Sequence, residues 1–394
     1  MNIRDDFPIL KDNIIYVDSA CMALKPIQVI NKINEYYYKY PVCAGRSAHK
    51  LSVKLNNEVI LARRRVKNFI NAKKDKEIIF VRNVTEAMNL IANSFNLNSG
   101  DAVMITEKEH NSNLVPWLKL KDRGIKLLIL KLNVDGTFNE DNFKELLENE
   151  NLKLISFHQT SNVDGVTLPI KEIVKLAHKK GIKVAVDAAQ SAPHKEIDVR
   201  SLDVDFLAIS GHKMMGPSGI GVLYGKEEEL EKLDSFIVGG ETVKETYHDQ
   251  FDYEEIPEKF EGGLQNYAGI VGLGEACEYL SKLKLKKIQE HEIKLNKILT
   301  EELKDFVKII GPKNPELRGG IFNFYIEGVD MHNFSTMLDS ASSIMTRSGQ
   351  HCVHSYYNGR KLPITTRISL YAYNTEEEIH KIVKEVKNII KILK

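Results

Sequence analysis

The chain has 394 residues, of which 43% are apolar and 28% charged, with a formal net charge of +1 at pH 7. This length exceeds what one compact core accommodates and favours two domains. The composition argues against a disordered chain and the near-zero charge against a nucleic-acid-binding surface, so small molecules or proteins are the expected partners.

The amino-terminal stretch and the cysteine content indicate a soluble, cytoplasmic protein without membrane contact. MNIRDDFPILKDNIIY contains early acidic residues and lacks an apolar core of signal-peptide length, and no later stretch reaches the roughly 18 apolar residues of a membrane span. The four cysteines, Cys21, Cys43, Cys277 and Cys352, form no CxxC pair and are too sparse for a disulfide framework. Any functional cysteine is therefore expected to act as a thiol.

From about residue 55 the chain alternates helical and strand patterns. LNNEVILARRRVKNFIN is amphipathic, EIIFV is a short apolar run, and TEAMNLIANSF is helical again. Further apolar runs, with helical stretches such as IKEIVKLAHKKG between several of them, predict strands at 101–105, 126–130, 153–157, 183–187, 205–210 and 221–225. Strands that are apolar throughout fit a mostly parallel sheet covered on both faces, so the predicted class is α/β.

The pattern changes after about residue 265, where a long Leu-, Lys- and Glu-rich helical region begins. We place a domain boundary near 280, with a large α/β domain over 15–280 and a smaller α+β domain over 1–14 and 281–394. The basic tail KEVKNIIKILK is interpreted as an amphipathic terminal helix.

Lys213 stands just after one of the predicted strands, in the sequence SGHKMMGP. A partly desolvated lysine has a lowered pKa and can form a Schiff base with a carbonyl group. Ser210 and His212 supply hydrogen-bonding groups beside it, and Gly211 would let the main chain approach a phosphate-bearing ligand closely. The alternative is a surface lysine in a turn, which the local sequence alone does not exclude.

The motif VDAAQ, about 25 residues upstream, ends another predicted strand at Asp187 and places Gln190 three residues later. Because the carboxyl ends of neighbouring strands line one crevice, Asp187 and Lys213 are expected in the same place. A carboxylate there can hold a protonated heterocyclic nitrogen, with a Coulomb attraction of roughly 4 kcal/mol at about 4 Å and an effective dielectric of 20, before desolvation. A ring kept cationic in this way is an electron sink.

Two further stretches supply polar groups after predicted strands. In RNVTEAMN, Thr85 and Glu86 open a helix whose N–H groups, with the Thr85 hydroxyl, suit a phosphate; an ordinary helix cap at Thr85 is the alternative. In TEKEHNSN, His110 follows another strand and can stack on a flat ring, although a lone histidine at such a place is more often structural.

Six motifs occur in a fixed order between Tyr16 and Asn374: YVDSA, RNVTEAMN, EHNSN, HQTSNVDG, VDAAQ and SGHKMMGPSGIGVLYG. This ordered set resembles the pyridoxal-phosphate enzymes of the class V aminotransferase group, and specifically the cysteine desulfurases of the SufS type. The segment GIGVLYG lacks GxGxxG and is no dinucleotide fingerprint.

The resemblance implies a fold-type-I homodimer in which Lys213 carries pyridoxal 5'-phosphate as a Schiff base. It further implies that Asp187 pairs with the ring nitrogen, that Gln190 contacts the ring hydroxyl and that His110 stacks on the ring. The residues implied as phosphate ligands are Thr85, Ser210 and His212.

Cys352 lies in RSGQHCVHSYYN, which resembles the RTGHHC motif where SufS-type enzymes keep their nucleophile. An ordinary thiol is only about 3% thiolate at pH 7, and nearby cationic arginine or histidine would raise that fraction. One alternative is an inert buried cysteine, which fits Cys277 better. Another is a metal site of Cys352 with His351 and His354, although adjacent residues rarely point at one ion.

Substrate contacts are predicted at Arg367, Asn162 and Arg347. Arg367, in ITTRISLYAYN, matches the family's carboxylate-binding arginine, and its planar fork suits a bidentate salt bridge. Asn162 and Arg347 could instead be polar residues that close turns. Only fifteen residues separate Arg367 from Cys352, without the long insertion of the IscS type, so we expect an ordered Cys352 loop and a slow, acceptor-dependent enzyme.

The reaction implied by the resemblance begins when L-cysteine, or alternatively L-selenocysteine, displaces Lys213. The freed amine moves the Cα proton, Cys352 takes the sulfur as a persulfide, and alanine leaves. An acceptor protein would carry the sulfur to iron–sulfur cluster assembly or other sulfur biosynthesis. The alternatives are a selenocysteine or cysteine lyase, an aminotransferase of the same class, and a non-catalytic sulfur-transfer scaffold. Cys21 and Cys43 are expected near the site entrance and receive no role.

Two stretches depart from the family pattern. GRSAHKLS replaces the usual HRGIHTLS, so Gly45 stands for a pocket histidine while Arg46 and His49 remain. EGGLQN replaces EAGTPN, so Leu264 stands where a threonine would reach the partner subunit's phosphate. The missing hydrogen bond to a charged group corresponds to a loss of roughly 1.5 to 3 kcal/mol in binding free energy. Cofactor affinity or substrate preference is therefore expected to differ from the family norm.

Overall fold

The structure, a computed structural model, describes residues 3–45 and 47–393. Its strands are β1 Ile15–Tyr16, β2 Ile78–Val81, β3 Ala102–Thr106, β4 Lys126–Leu130, β5 Leu152–His158, β6 Lys183–Asp187, β7 Phe206–Ser210, β8 Gly221–Gly225, β9 Val243–Thr246, β10 Phe251–Tyr253, β11 Lys308–Ile309, β12 Ile321–Tyr325, β13 Ile344–Met345, β14 Arg347–Gly349 and β15 Thr365–Ser369. Its helices are α1 Ile27–Lys39, α2 Lys50–Phe69, α3 Val84–Ser94, α4 Asn111–Lys119, α5 Glu140–Leu147, α6 Ile170–His178, α7 Val199–Leu202, α8 Glu227–Leu230, α9 Tyr267–Leu283, α10 Leu285–Leu303, α11 Met331–Ser342, α12 His354–Arg360 and α13 Glu376–Leu393.

A seven-stranded sheet of order β2-β8-β7-β6-β5-β3-β4 forms the centre, and all of its neighbours are parallel except those of β8. Alternate residues of β2 fall into two separate apolar clusters, Ile78 and Phe80 in one and Ile79 and Val81 in the other. Both faces of the sheet are therefore covered, which is why its strands are continuously apolar. The predicted α/β class with a mostly parallel sheet is confirmed.

The order of the sheet brings the chemistry-bearing strand ends together. β6 and β7 are parallel neighbours, with Asp187 opposite Ala208, and β5 lies on the other side of β6 with His158 opposite Asp187. Because parallel strands end at one edge, Asp187 and the segment that follows Ser210 lie at the same edge.

A smaller antiparallel sheet of order β11-β12-β15-β14 is built from the carboxyl-terminal part of the chain. It packs with α10, α11 and α13 around an apolar cluster that includes Phe322, Ile368 and Ile382. The predicted amphipathic tail forms the end of α13. In the ranges that the structure covers, none of the helices is sufficiently long and apolar to span a bilayer.

The amino-terminal residues pack in two different apolar clusters. The prediction put 1–14 with the small domain and the residues from 15 onwards with the large one, and the observed packing is the reverse. Phe7 and Leu10 pack in the larger cluster beside the large sheet, whereas Ile15 and Val17 pack in the cluster of the smaller sheet. β1 pairs in parallel with β13, from the far end of the chain. A two-residue strand carries no sequence pattern of its own, so only its partner decides its place. The boundary near 280 stays a prediction.

Candidate active site

A cavity of about 210 Å³ lies between the carboxyl ends of β5, β6 and β7 and the loop that carries Cys352. Every site residue predicted from the sequence except Glu86 lines it: Thr85, His110, Asn162, Asp187, Gln190, Ser210, His212, Lys213, Arg347, Cys352 and Arg367. Residues that are distant in sequence thus converge on one concave site, which is lined mostly by polar residues.

Lys213 and Asp187 form the charged centre of the cavity. Lys213 ends a single helical turn after β7, and Asp187 is the last residue of β6. Burial lowers the pKa of the Lys213 amine, and the Asp187 carboxylate opposes that shift. Burial also raises the pKa of Asp187, whose Oδ1 accepts a hydrogen bond from the Ala189 N–H at 2.9 Å. Because Lys213 lines the cavity and is only partly exposed, the surface-lysine alternative is wrong.

Gly211 allows close packing within the protein, and its predicted role in the approach of a ligand stays a prediction. A Cβ atom at Gly211 would lie 2.7 Å from the carbonyl oxygen of Ile220 and 3.2 Å from the Leu273 side chain. The Gly211 N–H donates to the same Ile220 carbonyl at 3.0 Å. The glycine therefore lets the segment before Lys213 lie close to the strand that follows.

The amino terminus of α3 presents hydroxyl and N–H groups to the cavity. Asn83 caps the helix, with its Oδ1 accepting from the third helical N–H at 3.1 Å, so the alternative of a cap at Thr85 is wrong. The Val84 N–H donates to Ser210 Oγ at 3.1 Å, and Thr85 Oγ1 lies 2.7 Å from Ser112 Oγ. A helix start with three hydroxyl groups around it suits an anion such as a phosphate.

The Glu86 side chain does not line this cavity, and a contact of this residue with a cofactor stays a prediction. Its carboxylate accepts a hydrogen bond from the Arg82 main-chain N–H and lies 3.2 Å from Arg82 Nε. The ion pair with Arg82 holds the carboxylate beside the preceding turn. A carboxylate next to a phosphate would also repel it. The position of Glu86 in the sequence does not show where its side chain lies.

His110 and His212 are neutral near neutral pH. Burial lowers the pKa of His110 to about 3, with Lys213 acting in the same direction, and burial lowers the pKa of His212 to about 4. His110 caps α4, with Nδ1 accepting from the Ser112 N–H at 3.1 Å, so its other ring nitrogen carries the proton. A neutral ring fixed in this way offers a flat face for stacking.

Cys352 lies in a turn with left-handed backbone angles, φ 51° at His351 and 60° at Cys352. Such angles cost energy for residues other than glycine and persist only when the surroundings hold them. Asn162 Nδ2 donates to the His351 carbonyl at 2.8 Å, and the Asn111 N–H donates to the Cys352 carbonyl at 2.9 Å. His351 Nε2 also lies 2.8 Å from Thr365 Oγ1. Hydrogen bonds on both sides of the thiol thus fix its place at the cavity.

The two histidines beside Cys352 face separate partners. His351 contacts Thr365, whereas His354 Nδ1 lies 3.0 Å from Asn111 Nδ2. Over residues 3–45 and 47–393, no three His, Cys, Asp or Glu side chains come together as a group able to hold a metal ion. The described residues give the metal-site alternative no support.

Arg347 contacts two thiols at once. Its Nη1 donates to Cys21 Sγ at 2.8 Å and its Nη2 to Cys352 Sγ at 3.5 Å. Burial acts to lower the pKa of Arg347, but Cys21 and Asp18 outweigh it and the pKa is raised. No role for Cys21 was predicted from the sequence, where its signal was its position directly after the motif YVDSA.

Arg367 is a buried cation with one nitrogen that has no partner among the described residues. Nη2 donates to Asp18 Oδ1 at 3.0 Å and Nη1 to the Asn162 carbonyl at 3.1 Å, while the buried Nε has no partner among the described residues. Burial lowers the pKa of the guanidinium, and Asp18 opposes that shift. A buried planar cation with a donor to spare fits a carboxylate ligand.

His158 is a second residue that the sequence analysis missed. It ends β5 beside Asp187, donates from Nδ1 to Glu109 Oε1 at 2.9 Å, and has a buried Nε2 without a partner in the described chain. The signal was present, because HQTSNVDG begins where a strand ends. Its Nε2 is a polar atom at the cavity wall that a ligand can satisfy.

The structure explains one of the departures from the family pattern, that at Gly45, and offers no reason for the leucine at 264. Gly45 has φ 83°, an angle that a histidine there would adopt only with strain. His49 caps α2, with Nδ1 accepting from the Ser52 N–H at 3.2 Å. Leu264 is 70% exposed, and Arg46 lies outside the described residues.

Comparisons with known proteins place these features in a family context. The family model described as Aminotransferase class-V matches residues 15–382. A "Probable cysteine desulfurase" of Halalkalibacterium halodurans is 39% identical over 393 residues, which cover 97% of this chain and 96% of that protein. The apo structure of a cysteine desulfurase from Thermococcus onnurineus NA1 superposes with a TM-score of 0.95 at 34% identity, covering 99% of this chain and 98% of that one. The cysteine desulfurase CsdA (S-sulfonic acid) from Escherichia coli gives a TM-score of 0.92 at 32% identity, again over 99% and 98% of the two chains.

Proposed function

The chain belongs to the class-V aminotransferase family and is a cysteine desulfurase, and we propose that it is of the SufS type. In this proposal it uses pyridoxal 5'-phosphate, converts L-cysteine to L-alanine and takes the sulfur onto Cys352 as a persulfide. The observation that carries this proposal is the Cys352 thiol, which lines the same cavity as Lys213 and accepts a hydrogen bond from Arg347 at 3.5 Å.

The donors of the cavity fit the proposed cofactor. Asp187 is a buried carboxylate whose raised pKa marks an environment that a cationic ring nitrogen would relieve. His110 offers a neutral ring, and Gln190 would contact the ring hydroxyl. The hydroxyls of Thr85 and Ser210, the His212 N–H and the start of α3 would hold the phosphate. When bound, the cofactor supplies an electron sink for the electron pair left at the substrate Cα.

Substrate binding is assigned to Arg367, Asn162 and Arg347. The unpartnered Nε of Arg367 supports capture of the amino-acid carboxylate, because a carboxylate can accept from Nε and a terminal nitrogen together. Asn162 connects this arginine to the nucleophile, since its carbonyl accepts from Arg367 and its amide donates to His351. The substrate and the thiol are thereby held relative to one another.

Lys213 is assigned the proton transfers. Burial lowers the pKa of its amine, so the neutral form that can accept a proton is more populated near neutral pH than for an exposed lysine. Nζ then takes the proton from the substrate Cα and returns it to the product carbon.

Cys352 is assigned the sulfur transfer. Its sulfur forms the new S–S bond while the Cβ–S bond of the substrate breaks, and the electron pair of that bond stays with Cβ, which takes a proton and becomes the alanine methyl group. The carbon is reduced and the sulfur oxidised within the same step, so no external oxidant is required.

We further propose a homodimer, a cytoplasmic location and delivery of the sulfur to an acceptor protein for iron–sulfur cluster assembly or other sulfur biosynthesis. The homodimer and the acceptor protein are proposed from the resemblance to SufS-type enzymes. The fixed Cys352 turn supports a slow enzyme, because a held thiol needs an acceptor that comes to it.

The test is the reaction of the holoenzyme with L-cysteine, with alanine measured and Cys352 inspected by mass spectrometry. We expect alanine, a persulfide on Cys352, and loss of both in Cys352→Ala, whereas Lys213→Ala should lose the yellow absorbance of the bound cofactor. Sulfide release without modification of Cys352 would favour a lyase. Turnover that requires a keto acid would favour an aminotransferase, and a colourless protein that cannot take up the cofactor would favour a scaffold.

A further inference from the structure

Cys21 is a second thiol in the active-site cavity that the proposed reaction does not use. It lies in the turn after β1, where its N–H donates to the Asp18 carbonyl at 3.0 Å, and its side chain is partly exposed to the cavity. Arg347 donates to Cys21 at 2.8 Å and to Cys352 at 3.5 Å, so the two sulfurs are separated by no more than one guanidinium group and its two hydrogen bonds.

Cys21 lies among charged side chains of the cavity, and Arg347 contacts its sulfur directly. Lys213, Arg347 and Arg367 all lie close enough to Cys21 to interact with it electrostatically. The acidic groups that face it in turn are Asp18 and the phenol of Tyr16.

The other two cysteines lack these features and serve as internal controls. Cys277 is buried in α9, and burial raises its pKa to about 12. Cys43 is exposed, in the loop before α2, and does not line the cavity. Reactivity confined to Cys21 and Cys352 is therefore distinguishable from general modification of thiols.

We propose that Cys21 is a sulfur-relay thiol that accepts the outer sulfur of the Cys352 persulfide, an inference that rests on the proposed function. The Cys21 thiolate attacks the outer sulfur, the S–S bond to Cys352 breaks, and its electron pair leaves on Cys352 as a thiolate. One persulfide is consumed and one is formed, so the step needs neither oxidant nor reductant. Arg347 contacts the attacking sulfur and the leaving sulfur alike, so the negative charge stays beside the same cation throughout.

The relay frees Cys352 for a second substrate while the first sulfur is stored on Cys21. Without an acceptor, each subunit then releases two alanines in its initial burst. A subunit in which Cys352 alone holds sulfur releases one.

The experiment exposes the holoenzyme to L-cysteine without an acceptor, stops the reaction with an alkylating reagent, and locates the added sulfur by mass spectrometry. We expect sulfur on Cys21 and Cys352 in the wild type and in Cys43→Ser, on Cys352 alone in Cys21→Ser, and on neither pocket thiol in Cys352→Ala. The alanine burst should fall from two to one per subunit in Cys21→Ser.

Four results would overturn the relay: sulfur on Cys352 but none on Cys21 in the wild type, sulfur on Cys21 in Cys352→Ala, equal labelling of Cys43, or a Cys21–Cys352 disulfide with release of sulfide. The last result would mean that Cys21 attacks the inner sulfur instead. Alanine formation without sulfur on either thiol would overturn the role of Cys352 itself. Failure of the relay and failure of the proposed function therefore give different experimental results.

Discussion

Arg367 donates a hydrogen bond to the carbonyl oxygen of Asn162, 3.1 Å away, and thereby links the proposed carboxylate site to the turn of the nucleophile. The amide of the same asparagine donates to the His351 carbonyl at 2.8 Å, one residue before Cys352. Asn162, from the loop after β5, thus contacts both Arg367 in β15 and the turn after β14 that carries Cys352.

Asn162→Ala should lower kcat more than it changes KM. The substitution removes the amide donor that holds the left-handed turn at Cys352 but leaves the main-chain carbonyl that Arg367 uses. One hydrogen bond of about 1 kcal/mol corresponds to a fall of roughly fivefold in kcat. Asn93→Ala, at an exposed position of α3, is the matched control in steady-state assays of alanine. An unchanged kcat in Asn162→Ala would show that the turn holds without this bond.

Arg367→Lys should raise KM for L-cysteine while the absorbance of the bound cofactor is retained. Lysine keeps the charge but has no Nε donor and no planar fork, so the bidentate contact is lost. Loss of a hydrogen bond to a charged group, about 1.5 to 3 kcal/mol, predicts a rise of roughly 10- to 150-fold. Arg360→Lys, whose arginine pairs with Glu107 outside the cavity, should leave KM unchanged. A KM unaffected by Arg367→Lys would place the substrate carboxylate elsewhere.

The stability of the cofactor-free protein should decrease as the pH falls from about 6.5 towards 4. The pKa of His110 is lowered to about 3 in the folded chain, so over this range the unfolded chain binds more protons and protonation favours unfolding. His110→Asn removes the titrating ring, and asparagine can still cap α4. Denaturant unfolding at several pH values should give a shallower slope for the variant. Parallel slopes for the two proteins would contradict the burial of a neutral His110.

Asp164→Asn should strongly destabilise the fold. Lys108 Nζ lies 2.5 Å from Asp164 Oδ2 with both side chains fully buried, and removal of one charge leaves the other without its partner. Breaking such a pair costs about 3 to 5 kcal/mol in the free energy of unfolding. Glu140→Gln, which breaks the exposed pair with Lys144, should change it by no more than about 0.5 kcal/mol. Equal effects of the two variants on the denaturation midpoint would refute this expectation.

The sequence by itself determined where the strands of the large sheet lie and which of them end at the predicted site residues. The apolar runs that end at Asp187 and Ser210 are bounded by polar motifs, and the hydrophobic pattern requires both faces of such strands to be covered. A parallel sheet then brings the ends of its strands to one edge, so the shared location of Asp187 and Lys213 could be predicted without coordinates. The ordered motifs indicated the cysteine desulfurase family, which the comparisons confirmed.

Only the tertiary structure decided what depends on contacts between distant segments. The Glu86 carboxylate pairs with Arg82, and Asn83 caps α3. Both contacts depend on which partner lies within reach of the side chain, and a sequence motif does not encode that distance. The pairing of β1 with β13 carries Cys21 to the cavity wall, where Arg347 joins it to Cys352. A single cysteine near the amino terminus belongs to no periodic pattern in the sequence. Its proposed role could be inferred only because folding places it beside a second thiol and a cation that contacts both.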